Sequence, residues 1–223
     1  MTAEEQPSGR RPGPWWLLPP ALLFAANMIA VIAAGSPSER NGVYRGVYLA
    51  SAAVTAGMVG GYALVAPVGA KAPVRRSLGV VRPQAGWRRL AALAFGAILL
   101  LNVALDPLLR SDKAQGITPD RQPAGGRDWA LLAIALVLLC VVVPAAEELL
   151  FRGLAFAALG RYAVVGSAAL FAVAHALPRL LPVVFVAGLV LAELRRRTGS
   201  VLPGMAVHGL LNTAGILAAL LTA

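Results

Sequence analysis

This sequence of 223 residues consists largely of apolar stretches separated by shorter polar segments. Most of the apolar stretches are long enough to form a membrane-spanning helix. Crossing the hydrocarbon core takes about 20 apolar residues in helical conformation. The sequence is 58% hydrophobic and only 13% charged, whereas about a quarter of the residues of a soluble domain are charged. We therefore expect an all-α, polytopic transmembrane helix bundle with about seven spans. The predicted spans are Trp15–Gly35, Val47–Ala66, Leu90–Leu109, one that begins at Trp129 with a kink at Pro144, Tyr162–Leu177, Leu180–Leu194 and Val201–Leu221.

The net charge of +10 comes largely from arginines between the apolar stretches. Such loops are typical of the cytoplasmic side of membrane proteins, so we do not expect nucleic-acid binding. A cytoplasmic N-terminus places 13 of the 20 Lys and Arg residues on the inner side and predicts an external C-terminus. The basic segment Lys71–Arg89 is expected to lie along the anionic inner surface. Abundant Arg, Ala, Gly and Val with little Lys favour a bacterial plasma membrane.

Two adjacent carboxylates, Glu147 and Glu148, follow about 18 uncharged residues. An ionised carboxylate in mid-bilayer costs at least about 2.5–3.5 kcal/mol, so such residues usually face an internal cavity and have a function. Arg152 follows Glu148 by four residues, a favourable helical spacing for an ion pair. Glu147 points about 100° away and is expected to face a cleft. The alternative is a buried ion cluster that only fixes helix packing.

Both histidines of the chain also lie within apolar stretches. Phe171 precedes His175 by one helical turn, and Asn212 follows His208 by one turn. Each histidine alone would be read as a packed helix residue, but several polar groups on separate helices can satisfy one another. The helical rise allows Glu147 and the two histidines to meet in one layer below the cytoplasmic surface.

Three ordered motifs carry a resemblance to a known family. EELLFR (Glu147–Arg152), FAVAH (Phe171–His175) and HGLLN (His208–Asn212) match the EExxxR, FxxxH and HxxxN patterns of the CPBP intramembrane endopeptidases. That family includes the type II CAAX prenyl endopeptidases and the bacterial Abi proteins, some of which are linked to bacteriocin processing or immunity. The resemblance covers about Trp129–Leu221.

The resemblance implies a site that hydrolyses peptide bonds near the cytoplasmic side. In it Glu147 would activate water, which His175 would help to hold, while His208 and Asn212 would stabilise the oxyanion. This agrees with the base and the hydrogen-bond donors that amide hydrolysis requires. Three supporting residues complete the implied site: Glu148 and Arg152, which would brace the first glutamate, and Phe171, which would line the pocket.

The involvement of a metal stays open at this point. Glu147, His175 and His208 could hold zinc with one open coordination position. The sequence has no HExxH motif, however, and a metal-free glutamate mechanism uses the same residues. We expect that no cofactor is required.

We therefore expect an intramembrane endopeptidase whose partners are the lipid bilayer and a membrane-associated peptide or protein, including lipidated or CAAX-type substrates. Residues 1–128 are expected to hold the first three spans, a basic cytoplasmic loop and a polar external loop, and residues 129–223 the catalytic core. One alternative is a non-catalytic membrane scaffold or bacteriocin-immunity protein. A proton-coupled transporter is disfavoured because no inverted repeat is visible.

Overall fold

A computed structural model describes residues 13–23, 46–69, 73–109, 119, 122–175 and 178–222 of the chain. The structure is 87% helical, and its described residues include no strand. This confirms the predicted all-α membrane fold. After a 3-10 turn at Pro14–Leu17, the helices are α1 (Gly46–Gly69), α2 (Val74–Leu78), α3 (Trp87–Leu109), α4 (from Gly126 to Leu159), α5 (Ala163–Ala174), α6 (Leu181–Thr198) and α7 (Leu202–Thr222).

Four helical stretches of the described chain are long and apolar enough to cross a membrane. They are Tyr48–Gly69, Trp87–Leu105, Gly126–Ala174 and Leu202–Thr222. The third is 49 residues long and covers the predicted fourth and fifth spans. Helix α6, the predicted sixth span, is not among the four, since its last turns carry Glu193 and Arg195–Arg197. The first predicted span lies largely outside the described residues, and the count of seven stays a prediction.

Helix α4 changes its winding on both sides of the acidic pair. A π-helical segment, Leu138–Val142, comes immediately before the turn that contains Pro144. A second one, Leu149–Ala155, begins directly after Glu148. Proline lacks the N–H that an α-helix needs at this position, and π-helical turns occur frequently at functional sites. The two π segments thus lie on either side of Glu147 and Glu148, and the kink at Pro144 stays a prediction.

Helix α1 packs along α4 beside the acidic pair. A Cβ atom on Gly60 would lie 3.2 Å from the Cβ of Ala146, so the two helices approach closely next to Glu147. Residues of α1, α4 and α5 share one buried apolar cluster, which includes Val59, Ala66, Leu150, Leu154 and Phe171. This packing fixes the segment of α4 that carries both glutamates.

Candidate active site

The two neighbouring glutamates lie in different environments. The Glu148 side chain is 0% exposed, and Arg152 Nη1 donates to its Oε1 across 2.8 Å. The predicted helical ion pair is therefore present. Glu147 is 15% exposed, and its Oε2 lies 3.7 Å from Nε2 of His208. One carboxylate is thus neutralised inside the protein, while its neighbour stays accessible.

The Arg152 guanidinium is held on three sides. Besides its bond to Glu148, Nη2 donates to the main-chain oxygen of Gly188 on α6 across 3.3 Å. Its Cζ lies 4.1 Å from the centre of the Phe171 ring on α5. A buried charge is tolerated only when it is paired and hydrogen-bonded. These contacts therefore join three helices around the Glu148 carboxylate.

His208 on α7 stands between the two carboxylates. Its Nδ1 lies 3.4 Å from Glu148 Oε1, and its Nε2 faces Glu147. Neither contact is a hydrogen bond, and among the described residues neither His208 Nδ1 nor Glu148 Oε2, both buried, has a hydrogen-bond partner. Catalytic hydrogen bonds are often long in the absence of substrate and shorten in the complex. An imidazole in this place can exchange protons or hydrogen bonds with either carboxylate.

Phe171 links the two histidines. The centre of its ring lies 4.5 Å from that of His175 and 5.7 Å from that of His208, both edge-on. The ring is buried, with only 4% of its surface exposed. Phe171 therefore contacts both histidines from within the core, and its implied role in lining the pocket stays a prediction.

His175 is placed at the end of α5. Its Nδ1 contacts the main-chain oxygen of Phe171 across 2.8 Å. Because a carbonyl oxygen only accepts, Nδ1 must carry the proton in this contact. In the neutral ring this leaves a lone pair on Nε2. The half-buried imidazole can therefore accept a hydrogen bond from a water molecule.

Asn212 contacts the first π segment of α4. Its Nδ2 donates to the main-chain oxygen of Leu139 across 2.7 Å. Pro144 has no N–H to donate to the main-chain oxygens one turn earlier, which belong to Leu139 and Cys140. The second of these oxygens, that of Cys140, packs against Gly209 of α7. Helix α7 therefore covers the backbone that Pro144 leaves unpaired. The Asn212 amide retains a second N–H donor.

Gly204 is a site residue that the motifs did not indicate. A Cβ atom there would lie 2.5 Å from Oε2 of Glu148, so only a glycine lets the carboxylate rest against α7. Gly204 precedes His208 by one helical turn, and that spacing places both residues on one face. The sequence contains this spacing but does not show which group faces the glycine.

The three candidate zinc ligands are not grouped as a metal site. Among the described residues, no three His, Cys, Asp or Glu side chains are placed so that they could hold a metal ion together. The placement of Glu147, His175 and His208 therefore adds no support to the zinc alternative, and the steps proposed below use these side chains alone.

The comparison with protein-family models gives one match, over residues 129–214, to the type II CAAX prenyl endopeptidase Rce1-like family. Residues 129–214, which we call the Rce1-like segment, are similar to this family. The Rce1-like segment contains all three motifs. No curated protein and no solved structure matches the chain.

The Rce1-like segment begins within α4 and ends within α7. Helices α1, α2 and α3 lie outside the match, although α1 packs directly against the part of α4 that carries the glutamates. The surroundings of the candidate site are therefore formed by both parts of the chain.

Proposed function

We propose that the protein is an intramembrane endopeptidase in which Glu147 activates the attacking water. The observation that supports this most directly is the contrast between the two glutamates: Glu148 is fully buried and bound by Arg152, whereas Glu147 is partly exposed and faces His208. A general base must be accessible and able to accept a proton. Glu147 meets the first requirement, and the second is favoured because no arginine of the described part of the chain is bound to it.

In the proposed reaction, Glu147 takes a proton from a water molecule whose oxygen attacks the peptide carbonyl. The lone pair on His175 Nε2 accepts a hydrogen bond from the same water and orients it. His208 and the second N–H of Asn212 donate to the developing oxyanion. The intermediate then collapses, the C–N bond breaks, and Glu147 passes its proton to the leaving amine.

We propose a membrane-associated peptide as the substrate, including lipidated or CAAX-type proteins. The matched family is described as type II CAAX prenyl endopeptidases. A lipid group would keep a substrate in the bilayer beside the helices that carry Glu147. We also propose that residues 129–223 form the catalytic core, that residues 1–128 support it, and that the N-terminus is cytoplasmic.

Comparative terminal proteomics of membranes tests this function. Membranes with the wild-type chain are compared with membranes that contain Glu147→Gln or the control Glu193→Gln. Glu193 is a carboxylate on α6 that is bound at the surface by Arg196 and Arg197. We expect new peptide termini in the wild-type and Glu193→Gln samples and their loss in Glu147→Gln. Identical termini in all three samples, with equal expression, would instead favour a non-catalytic scaffold.

A further inference from the structure

The short helix α2 is fixed to the end of the bundle. Leu78 is fully buried, and a Cβ atom on Gly153 of α4 would lie 3.2 Å from its side chain. Val74, one turn earlier, packs against the same apolar cluster. Between them, Arg75 and Arg76 are exposed. Burial of one face of α2 therefore holds two guanidinium groups outward in fixed positions.

The loop after α2 is bound to the turn between α6 and α7. Three hydrogen bonds join these segments: Val201 N to Gly79 O at 3.0 Å, Ser200 Oγ to Val81 O at 2.6 Å, and Gln84 N to Thr198 O at 3.0 Å. The loop that is expected to lie along the anionic inner surface is thus also part of the folded bundle.

Five exposed arginines lie on this docked loop, on α2 and on the first turn of α3. These residues, which we call the arginine surface, are Arg75, Arg76, Arg82, Arg88 and Arg89. None of them forms an ion pair with a residue that the structure describes. Arg196 and Arg197, at the end of α6, are both bound to Glu193. Most of the uncompensated positive charge of the described residues at this end therefore lies on the arginine surface, and Arg161, Arg195 and one of the two charges on Arg196 and Arg197 add to it.

The two ends of the bundle differ in charge. Helices α1, α4 and α6 end where α3, α5 and α7 begin, and the arginine surface lies at that end. At the opposite end, where α4 and α6 begin, the described basic residues are Arg127 and Arg179. Among the described residues, the positive charge is therefore concentrated at the end of the bundle where α4 and α6 end, at the level where the headgroups of a lipid leaflet lie.

We propose that the arginine surface binds the phosphate groups of anionic phospholipids in the leaflet at this end. The planar guanidinium group matches phosphate with paired hydrogen bonds. Basic residues beside membrane spans are attracted to anionic lipids. Trp87, whose ring centre is 5.7 Å from the Arg88 guanidinium carbon, begins α3 at the same level, and tryptophan is enriched at the membrane interface.

Native mass spectrometry of the full-length protein tests this surface. The protein in detergent is titrated with phosphatidylglycerol or phosphatidylcholine, and the bound lipids are counted. We expect a preference for phosphatidylglycerol that falls by about 25-fold in Arg75→Gln/Arg76→Gln, since each of the two basic residues near the surface contributes about a fivefold factor. A similar loss is expected for Arg88→Gln/Arg89→Gln. This second double variant replaces the first in the test if the first does not fold.

The matched control is Arg127→Gln/Arg179→Gln, which loses the same charge at the opposite end and is expected to keep the preference. An unchanged preference in the folded double variants of the arginine surface would overturn the proposal, as would an equal loss in the control. Acidic peptides that bind through the arginine surface while the lipid preference is unchanged would also overturn it. Lipid counts do not depend on proteolysis, so this result is independent of the proposed function.

Discussion

The side-chain amide of Asn212 donates a hydrogen bond to the main-chain oxygen of Leu139, across 2.7 Å and between two helices. The acceptor belongs to the π segment before Pro144, which itself has no N–H to offer. Asn212 is the last residue of the HGLLN motif, and through this hydrogen bond it also stabilises the irregular part of α4. The position of Glu147 depends on the same part of α4.

Removal of the Asn212 amide should weaken both packing and cleavage. Asn212→Ala leaves the Leu139 carbonyl without a partner, and interhelical hydrogen bonds in membranes average about 0.6 kcal/mol, up to about 1.7. We expect a free energy of unfolding lower by about 1 kcal/mol, measured by reversible unfolding in mixed micelles. The control is Thr213→Ala, because the hydrogen bond that Thr213 Oγ1 donates to Gly209 O lies within α7. Equal stability of the two variants would contradict this role.

The Glu148–Arg152 pair should show strong coupling. Removal of one partner from a buried ion pair costs about 3–5 kcal/mol because the other charge stays buried. We expect Arg152→Gln and Glu148→Gln each to destabilise the protein strongly, and the double variant to lose much less than the sum of the two. A double-mutant cycle of unfolding free energies measures this coupling. Additive losses would show that the two charges do not depend on each other.

A methyl group at Gly204 should disturb the buried carboxylate. Gly204→Ala places a Cβ atom 2.5 Å from Glu148 Oε2, so the ion pair must shift. We expect lower stability together with reduced cleavage. Gly96→Ala on α3 is the matched control, since a Cβ atom there meets no atom within 4 Å. The control should be neutral or slightly stabilising, because alanine favours helix over glycine by about 1 kcal/mol. Equal effects of the two substitutions would rule out the contact with Glu148.

Local spacing explains which features the sequence could predict. The Glu148–Arg152 pair and the contact between Phe171 and His175 each join residues four apart on one helix. Such pairs follow from helical geometry alone. The helical membrane class followed from hydropathy, which is a sum over many residues. Both kinds of inference need no knowledge of how the helices pack.

Features that depend on packing could not be predicted in this way. Proline at position 144 indicated a kink, but hydropathy does not show that two π segments form or that Asn212 binds the Leu139 carbonyl. The contact between Gly204 and Glu148 joins different helices, and so does the docking of α2 through Leu78. These contacts depend on the relative positions of helices, which periodicity does not determine.

The central claim is that Glu147 is the base that activates water. The direct test is cleavage, by purified protein in proteoliposomes, of a membrane-associated peptide identified from the terminal proteomics. We expect Glu147→Gln to cleave about 10²–10⁴-fold more slowly, the range for loss of a general base, with unfolding unchanged and with Glu193→Gln as active as the wild type. Cleavage by folded Glu147→Gln at the wild-type rate would contradict the claim.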